Sequence, residues 1–228
     1  MDALLSMMTE IKSIQKSYRK KTVLQDVTLT VREGSCVGIL GGNGSGKSTL
    51  LSILAGVQRP DSGSFLWEGT DLFTDEKLRA RILGYVPQGN PLMEELTAWD
   101  NLRLWYDKAN LRGELEDGVL AMLGIPDFLK VPVRKMSGGM KKRLSIGCAV
   151  ANRPKLLLLD EPSAALDLIC KERIGNYLKG FKAQGGSILL ATHDVQELDL
   201  CDAMYILKDG VLTPYAYDGN VHRLVGKL

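Results

Sequence analysis

The 228-residue sequence contains only four cysteines, Cys36, Cys148, Cys170 and Cys201, and none of them forms a C-x-x-C pair. That excludes a disulfide scaffold and offers no metal-ligand spacing, so four free thiols in a reducing compartment are expected. Cys36 sits in an apolar stretch, where a small buried thiol packs well. No apolar run approaches the roughly 18 residues needed to cross a bilayer. The opening segment, Met1 to Met8, lacks a basic n-region and has too short an apolar core for a signal peptide. A cytoplasmic protein is predicted. A marked excess of one charge sign is also missing: 29 Lys and Arg against 27 Asp and Glu leave a formal net charge of +2, and no nucleic-acid partner is expected. The short basic runs Arg19-Lys20-Lys21 and Lys141-Lys142-Arg143 read as a solvated turn and a solvated helix face. Internal repeats, low-complexity tracts and long linkers are absent. The composition is that of a soluble globular chain, one large domain or a domain with a subdomain.

What is present is organised around Gly41-Gly42-Asn43-Gly44-Ser45-Gly46-Lys47-Ser48-Thr49. It reads G-x-x-x-x-G-K-S, the phosphate-binding loop of nucleoside triphosphatases. Cys36 to Leu40 before it predicts a buried strand, and Leu50 to Ala55 after it predicts a helix. Glycines let the backbone wrap phosphates, with several N–H groups aimed inward at a helix start. Lys47 is placed for the β- and γ-phosphates, and the Ser48 hydroxyl for Mg²⁺. A nucleoside triphosphate held by Gly41, Asn43, Gly44, Ser45, Gly46, Lys47, Ser48 and Thr49 is therefore predicted.

Around this loop, residues 9 to 33 alternate apolar and polar, which predicts short antiparallel strands with turns near residues 19–21 and 33–34. Tyr18 lies in the first turn. Phe65-Leu66-Trp67 predicts a further strand, and Ile82 to Val86 a buried one ending at Pro87-Gln88. From Asn90 to about Asn152 the periodicity becomes helical. The apolar runs Lys155 to Glu161 and Ser187 to His193 suit strands covered on both faces. Ala203 to Leu207 and Val211 to Thr213 flank Lys208-Asp209-Gly210, a hairpin signal.

Ligands of open α/β sheets bind beyond the carboxyl ends of the strands. Four strands here end in residues able to do chemistry: the phosphate loop, Gln88, Asp160-Glu161 and His193. Asp160 fits a carboxylate that holds Mg²⁺, and Glu161 one that orients or deprotonates the attacking water. An exposed acidic turn, a structural histidine and an ordinary Pro-Gln loop are the alternative readings.

Taken together, these motifs resemble the nucleotide-binding subunits of ATP-binding cassette (ABC) transporters over almost the whole chain. The decisive piece is Met136-Ser137-Gly138-Gly139-Met140, which is similar to the family's L-S-G-G-Q signature and lies ahead of the Asp160-Glu161 strand. Alone, Ser-Gly-Gly would read as a helix cap. The resemblance implies a P-loop (RecA-like) α/β core with a mainly parallel sheet, spanning about 9–89 and 153–228. It also implies an N-terminal antiparallel β part and a helical insert over about 90–152, all in one ABC ATPase domain, 1–228. By the same resemblance Tyr18 stacks on adenine, Gln88 senses Mg²⁺ and couples to the membrane partner, and His193 is the switch histidine. Ser163-Ala164-Ala165-Leu166-Asp167 joins the two sites of a dimer. Ser137, Gly138, Gly139 and Asp167 thus belong with the ATP-binding residues, Lys47, Gln88, Glu161 and His193 with catalysis, and Ser48, Gln88 and Asp160 with Mg²⁺.

Two features depart from the family pattern. Met140 stands where glutamine is common, as in the branch resembling drug, polysaccharide or lipid exporters. Met1 to Ser6 reads as a short extension, or translation begins at Met7 or Met8. The expected function is ATP hydrolysis that powers a separate membrane permease, for export, from the cytoplasmic face of the membrane. Pairing with a second cassette, the same or different, is implied. A soluble ABC ATPase in cofactor assembly or another non-transport process is the alternative.

Overall fold

The computed structural model describes residues 8–164 and 166–228. The question of the Met1–Ser6 extension lies outside them. Two sheets organise the described residues. In the first, β1 (Met8–Tyr18), β2 (Lys21–Arg32), β4 (Ser62–Trp67) and β5 (Thr70–Asp71) run antiparallel in the order β2-β1-β4-β5. Alternation explains it: Val27, Leu29 and Val31 of β2 are buried while the residues between them face water. The register sets Ile11 against Leu29 and Phe65, and Ile14 against Val27. These strands are longer than the short ones expected, because β1 stays paired across bulges that include Ser13 at φ 50°.

The second sheet holds β3 (Cys36–Leu40), β6 (Leu83–Val86), β7 (Leu156–Asp160), β8 (Ser187–Ala191), β9 (Ala203–Lys208) and β10 (Val211–Tyr215), in the order β10-β9-β3-β8-β7-β6. All ladders are parallel except that of β9 with β10. β9 and β10 are joined by Asp209 and Gly210, both at positive φ, as a two-residue hairpin demands.

The apolar runs serve two cores at once. Leu156 and Leu158 of β7 face one, with α1 (Lys47–Leu54) and the antiparallel sheet; Leu157 and Leu159 face the other. Ile188 and Leu190 of β8 likewise part from Leu189 and Ala191. A strand covered on both faces needs apolar residues at every position, which is why no alternation shows. Register then brings the strand ends level: Ile39 lies opposite Ala191, Ala191 opposite Asp160, and Leu159 opposite Val86.

Between β6 and β7 run α3 (Ala98–Leu102), α4 (Lys108–Glu116), α5 (Val119–Met122) and α6 (Gly138–Ala149). Short side chains start three of them: Thr97, Asp107 and Ser137 each accept a backbone N–H of the first turn. After β7 come α7 (Leu168–Ala183), α8 (Val195–Leu198) and α9 (Val221–Val225). Helix α2 (Glu76–Ile82) was not expected; Asp75 caps it by accepting the Leu78 N–H at 2.8 Å. It takes in Ile82, so β6 begins one residue later than expected. Among the described residues no helix is long and apolar enough to cross a membrane.

Candidate active site

The loop between β3 and α1 is shaped by its glycines. Gly44 and Gly46 sit at φ 79° and 109°, where a side chain is strained. A Cβ on Gly41 would lie 2.5 Å from Ser45 Oγ and 2.6 Å from the Leu207 carbonyl, so the loop could not close on itself there. Helix α1 opens on Gly46 with no side-chain cap and no acidic residue in its first turn. Its first N–H groups are left to an anionic ligand. The Lys47 ammonium is buried and donates to the carbonyls of Gly41 at 2.7 Å and Gly42 at 3.2 Å. Burial pulls its pKa down, and Glu161 and Asp160 oppose that. The loop bounds a cavity of about 360 Å³ lined by residues 43–49, Val23, Gln88 and Glu161.

Asp160, at the end of β7, is 1% exposed. Burial raises its pKa, and a hydrogen bond from Ser48 offsets part of the rise. Its Oδ1 is buried without a hydrogen-bond partner. An orphaned carboxylate oxygen beside a hydroxyl is a hard-donor pair that fits Mg²⁺. Glu161 follows at φ 49°, an unfavourable conformation for a residue with a Cβ. The Glu161 N–H holds the turn by donating to the Ala191 carbonyl at 2.8 Å. The turn leaves its carboxylate 3.1 Å from His193 Nδ1 on one side, and Gln88 Nε2 donates to it at 3.1 Å on the other. Three strand ends, distant in sequence, therefore converge on one carboxylate.

Other expected residues lie elsewhere. Ser137 caps α6, its Oγ accepting the Met140 N–H at 3.2 Å. Asp167 caps α7 at 2.8 Å from the Cys170 nitrogen, and those bonds hold its pKa down. Neither these residues nor Gly138, Gly139 and Tyr18 line the cavity of the phosphate loop. Tyr18 ends β1 with its ring half exposed, and its hydroxyl donates to Gln58 beyond α1. Val23, which does line the cavity, carries no sequence signal for that role.

The solvated helix face expected of Lys141-Lys142-Arg143 needs correcting. Lys142 is only 5% exposed, and its ammonium donates to the carbonyls of Pro87 at 2.9 Å and Gln88 at 3.1 Å. Arg143 lies over the Phe128 ring and donates to the Leu123 carbonyl at 2.8 Å. The run is basic because two buried or half-buried cations satisfy carbonyls at the ends of other elements. The turn at Arg19-Lys20-Lys21 is exposed, as expected.

Among the described residues, Lys47 supplies the one side-chain cation lining the phosphate cavity. Lys47→Ala should weaken ATP binding by about 10- to 100-fold, the worth of charge-assisted hydrogen bonds. Titration with a fluorescent ATP analogue measures it, and an unchanged affinity would contradict the role.

The ABC transporter family model matches residues 24–164. The Nod factor export ATP-binding protein I of Sinorhizobium fredii is 37% identical over 95% of this chain, which spans 64% of that protein's length. The lantibiotic transport ATP-binding protein SrtF of Streptococcus pyogenes is 33% identical over 93% of both chains. Among solved structures, a dimeric ATP-binding cassette in a post-hydrolysis state with ADP and Pi superposes with a TM-score of 0.79 at 29% identity, over 90% of this chain and 96% of that one. The chain belongs to the ABC transporter family.

Proposed function

We propose that this chain is the ATP-hydrolysing subunit of an exporter, closing with a second cassette on two ATP molecules and driving a separate membrane permease from the cytoplasmic face. The observation that carries the reading is the Glu161 carboxylate, strained at the end of β7 and held between Gln88 and His193. Glu161 accepts the proton of the attacking water, while His193 and Gln88 fix its orientation. Lys47 and the α1 N–H groups take the negative charge that develops on the phosphates. Ser48, Asp160 and Gln88 would hold Mg²⁺, which supplies charge neutralisation at the β- and γ-phosphates.

Ser137, Gly138 and Gly139 present a hydroxyl and a helix start to the γ-phosphate bound by the partner cassette, with Asp167 beside them. The half-exposed ring of Tyr18 serves adenine. Residues 90–152 form a helical subdomain, and its exposed Met93, Leu104 and Trp105 suit docking on the permease. Export is favoured by Met140 and by the named activity of the Nod factor relative.

Phosphate release from ATP with Mg²⁺, abolished by EDTA, tests the enzymatic part. Co-purification tests the partner: a multi-span membrane protein supports the reading, and a soluble partner alone would replace it with the soluble ABC ATPase.

A further inference from the structure

The buried ammonium of Lys142 is not used by the mechanism above. It projects from α6, the helix that begins at the Ser137-Gly138-Gly139 signature, onto the main chain of the Gln88 loop. Both acceptors are carbonyls at the end of β6, and Gln88 in turn reaches Glu161 with its side chain. The carboxylates of Asp160, Glu161 and Glu197 favour the charged form of Lys142 against the cost of burial. A lysine is rarely so buried unless paired, and this one is placed on carbonyls rather than on a single carboxylate. Its bonds therefore fix a direction in space, from the signature helix to the residue that holds the general base.

We propose that Lys142 is a positioning residue that ties the signature helix of each subunit to the Gln88 loop of the same subunit, so that the two composite ATP sites change together. In a head-to-tail dimer, the signature of one subunit meets the ATP of its partner, while Gln88 faces the ATP of its own. The Lys142 bridge is then a direct mechanical link between the two sites. When α6 shifts on engaging the partner's nucleotide, the Pro87 and Gln88 carbonyls must follow, and with them the amide on Glu161. Lys142 touches neither nucleotide nor reacting atoms and acts only through this loop.

The inference rests on the ATPase reading, and one experiment separates them. Purified full-length wild type, Lys142→Met and Lys142→Arg are assayed for ATP hydrolysis over a range of ATP concentrations, with melting temperatures measured alongside. Methionine fills the same space without a donor; arginine restores donors. Lys142→Met leaves the Pro87 and Gln88 carbonyls without their donor, so it should melt somewhat below wild type, and all variants are assayed at a temperature where the melts show each of them folded. The kcat of Lys142→Met should fall about tenfold, its KM should stay within about twofold, and its Hill coefficient should drop toward 1, while Lys142→Arg recovers most of the rate. Wild-type kcat and Hill coefficient in Lys142→Met would overturn the inference alone. So would equal losses in both variants, since packing rather than the donor would then matter. An inactive wild type would overturn the ATPase reading as well.

Discussion

Replacing Glu161 with Gln should cut ATP hydrolysis by about 10²–10⁴-fold and leave nucleotide affinity close to wild type, the usual effect of removing a general base. Glutamine keeps the shape of glutamate and can still accept from Gln88 and face His193. What it loses is the ability to take a proton. The strained φ of 49° at this position sharpens the expectation, because such strain persists where the surroundings over-determine a conformation. The phosphate cavity is bounded mainly by the loop of residues 43–49, so binding is left almost intact. Single-turnover hydrolysis and an ATP-binding titration on the same preparation measure both quantities. Turnover at the wild-type rate would remove Glu161 from the mechanism.

Gly138→Asp should abolish hydrolysis, by more than about 100-fold, in a protein that folds at least as well as wild type. Gly138 opens α6, and a Cβ added there meets nothing within 4 Å. The fold therefore makes no demand for glycine. Its neighbour differs, since a Cβ on Gly139 would lie 2.5 Å from Cys170 Sγ. A carboxylate in the first turn also suits the helix dipole, so the variant's melting temperature should hold or rise. In the closed dimer the same carboxylate would face the γ-phosphate of the partner's ATP, and opposed like charges cost several kcal/mol. Parallel thermal melts and phosphate release decide it. A variant that folds and hydrolyses normally would show that nothing docks on Gly138.

The phosphate loop, Asp160, Glu161, Gln88 and His193 were legible because phosphate chemistry dictates residue types at strand ends, and buried parallel strands are conspicuous runs. The same runs disclosed the mainly parallel sheet. The short helix α2 was not legible: seven residues give too few turns for a period, and its cap at Asp75 looks like any turn aspartate. The burial of Lys142 is not visible in the sequence because it depends on Pro87 and Gln88, more than fifty positions away, while its neighbours in sequence are polar. Cys36 and Cys201 likewise look unrelated along the chain. Pairing of β3 with β9 brings their sulfurs within 3.8 Å. For Tyr18 only the resemblance points to a role, and its bond to Gln58 follows from where α1 ends. Local chemistry shows in a sequence. Contacts made by topology do not.

On the proposed function, the phosphate loop is half of a site completed by the signature of a second cassette. Light scattering on Glu161→Gln during size exclusion, with and without saturating ATP, tests it most directly, because blocked hydrolysis lets the closed form accumulate. A monomer is expected without ATP and a dimer with it, and the Gly138→Asp change added to this background should return the protein to a monomer. A protein that binds ATP and still elutes as a monomer, or a dimer indifferent to both ATP and Gly138→Asp, would contradict it.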